Sequence, residues 1–325
     1  MPYRLKSVDN QPRGDKMQIP ANGIQIETEV SGPEHGPVVL LLMGLGMQLT
    51  DWPEALVQDL VHAGFRVVRI DNRDAGLSSH FDHAGCPNLW TEGLRHRMGW
   101  STHAPYSAND MARDSLAVLD ALGIARAHVL GVSMGGVIAQ RMALLAPERM
   151  HSLTSVMSTS SARDLPTSDP RVFKALMAYP RKGDQTAVIE HYVRLFSLIG
   201  SPAWPTPEAV LRQRMRRAVA RSHNRNGVQR QTLAVMLDDG RAKLLGQIRL
   251  PTLVVHGKDD LLLPYAHGID TARRIGNSAL LGIAGMGHDL PEAMLPMLMP
   301  RLFEFLQMHT PGWPGSQAAS GAPRT

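Results

Sequence analysis

The residue best placed for chemistry is Ser133, framed in Gly131-Val132-Ser133-Met134-Gly135-Gly136. The apolar stretch Ala127-His128-Val129-Leu130 precedes it and the small-residue segment Val137-Ile138-Ala139 follows. Strand, glycine-framed serine and helix in that order describe a nucleophile elbow, where the chain turns so sharply that the serine sits on strained backbone with its hydroxyl exposed. Glycines two residues to either side are required because side chains there would collide where strand and helix meet. A serine hydroxyl is a poor nucleophile at neutral pH and needs a general base, and the base needs a third group to hold its tautomer. In the architecture that carries this elbow, an acid and then a histidine follow the serine, each in a loop at the carboxyl end of a strand.

Both appear in that order. Thr252-Leu253-Val254-Val255 leads into His256-Gly257-Lys258-Asp259-Asp260-Leu261-Leu262-Leu263-Pro264, an acidic loop in which either Asp259 or Asp260 could face the base. Leu280-Leu281-Gly282-Ile283 leads into Gly285-Met286-Gly287-His288-Asp289, so His288, of 14 histidines, is the one at the expected point. Acyl transfer also needs two backbone N–H donors for the oxyanion, and Met134, directly after the nucleophile, supplies one. The triad chemistry calls for no cofactor and no metal.

The elements around these residues must form a sheet. Ile24 to Val30 begins by alternating apolar and polar residues, and Ala21-Asn22-Gly23 turns it back on the segment from Lys16 to Ile19. Val38 to Leu42 and Val67 to Ile70 are short apolar runs, as expected of strands covered on both faces. Trp52 to Ala63 and Ala108 to Leu122 read as helices stopped by Gly64 and Gly123. The expected fold class is α/β: a mostly parallel sheet with an antiparallel N-terminal start and helices on both faces. Alternation is interrupted from about Ser158 to Leu245, which reads as an inserted helical cap. The expected organisation is a first core segment over 16–157, the cap over 158–245, a second core segment over 246–309 and a disordered tail over 310–325.

At 325 residues the chain can bury one large core, with or without a modest insertion. Its 43% hydrophobic and 19% charged fractions are those of ordinary globular proteins. No apolar run reaches the ~20 residues of a membrane span, and Met1-Pro2-Tyr3-Arg4-Leu5-Lys6 is not followed by a signal-type apolar segment. Cys86 is the only cysteine, which fits a reducing compartment, so a cytoplasmic location is expected. The net charge of +5 invites a nucleic-acid reading. The densest cluster, Arg212, Arg214, Arg216, Arg217, Arg221, Arg225 and Arg230, has no zinc-finger spacing or aromatic stacking motif beside it. It reads as a solvated helix face, and no nucleic-acid partner is expected. His80-x-x-His83-x-x-Cys86 has metal-like spacing but lacks a fourth ligand and reads as a polar loop. Asp71-Asn72-Arg73-Asp74 reads as a brace for the loop beside the site.

Taken together, Met43-Gly44, Asp71-Asn72-Arg73-Asp74-Ala75-Gly76-Leu77-Ser78, the Ser133 elbow, His256-Gly257-x-x-Asp260-x-x-x-Pro264 and Gly285-Met286-Gly287-His288 resemble the α/β-hydrolase-fold serine hydrolases. Within them the chain is similar to the aclacinomycin methylesterase-like esterases, over about residues 16–309. The resemblance places the acid four residues after the histidine of His-Gly and four before the proline, which is Asp260. It also places the second oxyanion donor after a His-Gly pair; Met43 stands here for the histidine, so Leu45 is the implied donor and the histidine's help in ordering the loop is lost.

The expected function is cleavage of a carboxylic ester of a small hydrophobic molecule through an acyl-serine. Ser133 is the nucleophile, His288 the base, Asp260 its partner, and Met134 and Leu45 the oxyanion donors. Cap residues Leu176, Met177, Leu195, Phe196 and Leu198 suggest an apolar substrate or plain cap packing. An aminopeptidase on the same triad would need free cap carboxylates, for which Glu190 and Glu208 are the candidates. A cofactor-free perhydrolase would use the triad unchanged. A non-catalytic hydrolase-fold binding protein is the reading of another class.

Overall fold

In the computed structural model, which describes residues 14–180 and 184–314, Asn22 and Gly23 both take positive φ, 50° and 80°. That is the backbone a tight two-residue hairpin demands, and it joins β1 (Asp15–Ala21) to β2 (Ile24–Ser31) in antiparallel register. Next come β3 (Val38–Leu42) and β4 (Arg66–Ile70), which pairs antiparallel with β2 and parallel with β3. With β5 (Ala127–Val132), β6 (Met150–Val156), β7 (Thr252–Gly257) and β8 (Ser278–Ile283), the sheet runs β1-β2-β4-β3-β5-β6-β7-β8, parallel from β4 onward.

Helices on both faces explain why the central strands lack a polar side. The helices of the first half are α1 (Glu54–His62), α2 (Leu89–Arg97), α3 (Ala108–Ala121) and α4 (Met134–Leu145). Four more, α5 (Pro170–Met177), α6 (Gln185–Ile199), α7 (Glu208–Arg221) and α8 (Arg225–Met236), lie between β6 and β7. Then come α9 (Ala266–Arg274) and α10 (Leu295–Met308). The two-residue period of β3 sends Leu40 and Leu42 into one apolar cluster with α3 and α4, and Val39 and Leu41 into the other with α1 and α10. The nine-residue helix α2 carries little periodic signal and buries only Glu92.

The helices between β6 and β7 have small clusters of their own. Val172 of α5 packs with Leu195 and Ile199, Phe196 and Leu198 pack against them, and Phe173, Leu176 and Met177 stay exposed. Val193 joins Leu211 and Met215 across α6 and α7. The arginine cluster does not form a wholly solvated face as expected. Arg216 and Arg217 are exposed, but Arg214 bonds Asp51, Arg221 bonds Asp71 and fully buried Arg230 bonds Asp74. Helical spacing could not reveal that carboxylates from distant loops would meet that face.

Within the stretch expected as a tail, Thr310 is buried and the Trp313 ring stacks on Phe65 with centroids 5.0 Å apart. Residues 315–325 lie outside the described residues. Among the described residues no helix is long and apolar enough to cross a membrane.

Candidate active site

At the end of β5 the chain enters α4 through Ser133 with φ 54° and ψ −116°, a conformation that side-chain-bearing residues adopt only at a cost of about 1–3 kcal/mol. The surroundings hold it there. Ser133 N–H donates to Val156 O at 2.9 Å, and Ser158 Oγ–H donates to Ser133 O at 2.7 Å. The flanking glycines are required by space: a Cβ on Gly131 would overlap the Gly135 carbonyl, and one on Gly135 would overlap the carbonyl of Leu42 in β3. The turn thus leaves the Ser133 side chain half-buried at the carboxyl end of the sheet.

Loops after β7 and β8 bring two more side chains into a hydrogen-bonded chain with Ser133. Ser133 Oγ–H donates to His288 Nε2 at 3.0 Å, and His288 Nδ1–H donates to Asp260 Oδ2 at 2.7 Å. The other oxygen, Asp260 Oδ1, accepts the backbone N–H groups of Leu262 and Leu263 at 2.9 and 2.8 Å. Burial by itself would raise the Asp260 carboxyl. The charge of His288 and the hydrogen bonds from His256, His288 and Leu263 outweigh it and hold the group well below the usual carboxylate range. An ionised carboxylate accepts from Nδ1–H, so the ring nitrogen that faces Ser133 is Nε2.

Met134 is the first residue of α4, directly after Ser133, and Leu45 stands in the loop after β3, next to Gly44. Neither backbone N–H donates to another described residue. Gly44 passes close to Ser133: a Cβ on it would sit 3.4 Å from Ser133 Cβ.

The family model described as alpha/beta hydrolase fold matches residues 37–292. The chain belongs to the α/β-hydrolase fold family. Two Streptomyces proteins are similar along most of it. Rhodomycin D methylesterase DauP of Streptomyces sp. strain C5 is 30% identical over 289 residues, 82% of this chain and 89% of that protein. Rhodomycin D methylesterase DnrP of Streptomyces peucetius is 29% identical over 286 residues, 81% and 88% of the two chains. Among solved structures, the meta-cleavage product hydrolase from Pseudomonas fluorescens IP01 superposes with a TM-score of 0.69 at 18% identity, covering 92% of this chain and 99% of that one.

In this α/β-hydrolase the Asp71–Asp74 segment fastens loops to one another. Asp71 accepts from Leu49 N at 2.6 Å, Leu77 N at 2.9 Å and Arg221 Nη1 at 2.7 Å. Asn72 Nδ2–H donates to Met43 O at 3.0 Å, and Arg73 makes two bonds of 2.6 Å to Asp114. Asp74, at φ 65°, accepts from Arg230 of α8 at 2.7 and 2.8 Å and from Tyr106 Oη at 2.7 Å. His80, His83 and Cys86 turn to separate neighbours: His80 Nε2–H donates to Gly76 O, His83 packs beside Phe81, and Cys86 Sγ–H donates to Gln229.

Residues that pattern reading passed over hold the histidine loop of this α/β-hydrolase against the end of α6. His288 N–H donates to Ile199 O at 2.7 Å, and Ala203 N–H to Gly285 O at 3.1 Å. Asp289 Oδ1 accepts from Ser201 N and Oγ at 2.9 and 2.5 Å, while Gly287 N–H donates to Ser201 Oγ at 3.0 Å. No local pattern marks Ser201, because its partners, the Asp289 carboxylate and the Gly287 N–H, lie more than eighty positions away.

Proposed function

We propose that the protein hydrolyses a carboxylic ester of a small hydrophobic molecule by way of an acyl-serine. The observation that carries this reading is the relay from Ser133 Oγ through His288 to Asp260, at 3.0 and 2.7 Å. His288 Nε2 takes the hydroxyl proton as Ser133 Oγ bonds to the ester carbonyl carbon. Negative charge gathers on the carbonyl oxygen, where the Met134 and Leu45 N–H groups receive it. The ester C–O bond then breaks, and His288 gives its proton to the departing alkoxide. Water enters, loses a proton to His288, and releases the acid with Ser133 restored.

The fate of the cap carboxylates tells against the aminopeptidase alternative. Glu190 and Glu208 both bond Arg212, so neither is free to receive a substrate ammonium group. The names of the two Streptomyces relatives make a methyl ester the first substrate to try. Residues 158–245 act in this reading as a cap over the carboxyl ends of the strands and carry substrate choice, and the location is cytoplasmic. Short p-nitrophenyl esters and methyl esters of hydrophobic acids, offered to wild type and Ser133→Ala, test the mechanism. Wild type is expected to turn them over and to be labelled at Ser133 by a fluorophosphonate; the variant is expected to lose both. Full activity in folded Ser133→Ala rules the reading out.

A further inference from the structure

The loop after β3 leaves the sheet at Leu42 and has no ladder to hold it, yet Leu45 N–H can stabilise an oxyanion only if its direction is set before the reaction begins. A single internal bond, Met47 N–H to Gly44 O at 3.1 Å, closes a turn whose third residue, Gly46, has φ 66°. The remaining anchors come from elsewhere. Before Leu45, Asn72 Nδ2–H holds the Met43 carbonyl at 3.0 Å. After it, the Gly46 N–H donates to Gln231 Oε1 at 2.9 Å, and the Gln231 Nε2–H donates to Arg73 O at 2.7 Å.

Gln231 lies on α8, 185 residues away, and its side chain has no solvent access. A primary amide is costly to bury unless both ends are satisfied. Here the oxygen meets an N–H and the nitrogen meets a C=O, so its orientation is determined. Its neighbour Arg230 is locked onto Asp74 by two hydrogen bonds, which fixes where α8 sits. The peptide bearing the Leu45 N–H is therefore bracketed by Asn72 on one side and Gln231 on the other.

We propose that Gln231 is a positioning residue for the oxyanion donor at Leu45, so that the donor site is complete only when α8 is docked on the core. This rests on the acyl-serine reading above. Without the Gln231 amide the Gly46 N–H loses its acceptor and the Leu45 peptide is free to rotate away. Transition-state binding then suffers more than substrate binding, because the oxyanion exists only in the former.

The test compares Gln231→Leu, Gln231→Asn (one methylene too short) and Asn224→Ala. Asn224 caps α8 by accepting from Gly227 N at 2.9 Å and donates to Asp82 Oδ1 at 3.1 Å, with no hydrogen bond to the loop after β3 among the described residues. Both Gln231 variants are expected to lower kcat about tenfold to a hundredfold with KM within about threefold. Their affinity for a trifluoromethyl ketone, which binds serine as an oxyanion, is expected to fall by the same factor as kcat/KM. Asn224→Ala is expected to lower the melting temperature and leave inhibitor affinity unchanged. Unaltered kcat and inhibitor affinity in a folded Gln231 variant overturns the proposal. So does an equal loss of affinity in Asn224→Ala, or unfolding of both Gln231 variants, since the role is then one of packing. Fluorophosphonate labelling of wild-type Ser133 in the same experiment separates these failures from failure of the acyl-serine reading itself.

Discussion

Asp259 and Asp260 are neighbours in the chain, yet their carboxylates hold different parts of one loop. Asp260 Oδ2 accepts from His288 Nδ1 at 2.7 Å, and Asp259 Oδ2 accepts from the backbone N–H of Gly285 at 2.7 Å. The first carboxylate is buried against the ring that reaches Ser133, and the second is exposed and fastens the entry to the same loop. Asp260→Asn is expected to lower kcat by about 10⁴, as loss of the tautomer-fixing acid does in other triads. Asp259→Asn is expected to stay within about tenfold of wild type. Steady-state kinetics on one p-nitrophenyl ester decides between them, and a reversed order would exchange their assignments.

Gly135→Ala should be among the most damaging single-methyl changes available. The added carbon overlaps the Leu42 carbonyl, which is backbone in a fully buried strand and has no room to retreat. A loss of about 3 kcal/mol in urea unfolding is expected. Gly240→Ala, where nothing lies within 4 Å of the new carbon, serves as the comparison and is expected to shift stability by under about 0.5 kcal/mol. Equal stability of the two variants would contradict the steric account of the elbow.

Arg230→Met removes the partner of a fully buried carboxylate. Asp74 then retains Tyr106 Oη and the Phe81 N–H but no cation. Breaking one side of a buried pair costs about 3–5 kcal/mol, far more than a surface pair. For contrast, Arg301→Met breaks the exposed pair with Glu304 and should cost under about 1 kcal/mol. Chemical denaturation of both variants measures the difference.

Stability should depend on pH through His128. The ring is buried in β5, with Nδ1 2.7 Å from Ser152 Oγ and Nε2 2.9 Å from Thr310 Oγ1. Burial, with smaller contributions from His151 and His309, pushes it down to about 3. The unfolded chain protonates this histidine below about pH 6.5 while the folded protein does not. Between about 6.5 and 3 the unfolded state therefore binds more protons, and stability falls as pH falls, by up to about 1.4 kcal/mol per unit from this group. His128→Gln is expected to flatten that part of the curve. Urea midpoints taken from about pH 7 down to about pH 4.5 check it, and parallel curves for the two proteins would count against His128.

The antiparallel start, the parallel strands and the elbow are legible in the chain because each depends on a local signal. Asn22-Gly23 can make its turn alone, and β3 and β7 are apolar runs bounded by turn residues. Ser133, His288 and an acid at 259 or 260 are expected from three loops, each at the end of such a run. By contrast α2 buries one residue, so no stripe announces it. The arginines of α7 and α8 looked solvated because Asp51, Asp71 and Asp74, which meet them, lie more than a hundred positions earlier.

What the sequence by itself determined is the order of strand, serine, acid and histidine, since glycine spacing and apolar runs are properties of neighbouring residues. It could not by spacing alone divide Asp259 from Asp260, which differ only in where their carboxylates point. Nor could it show that Ser201 and Asp289 tie the histidine loop to α6, or that Gln231 reaches the Gly46 N–H. Those contacts were decided by tertiary structure, because a buried polar side chain takes whichever partner packing brings within hydrogen-bonding distance, however remote in the chain.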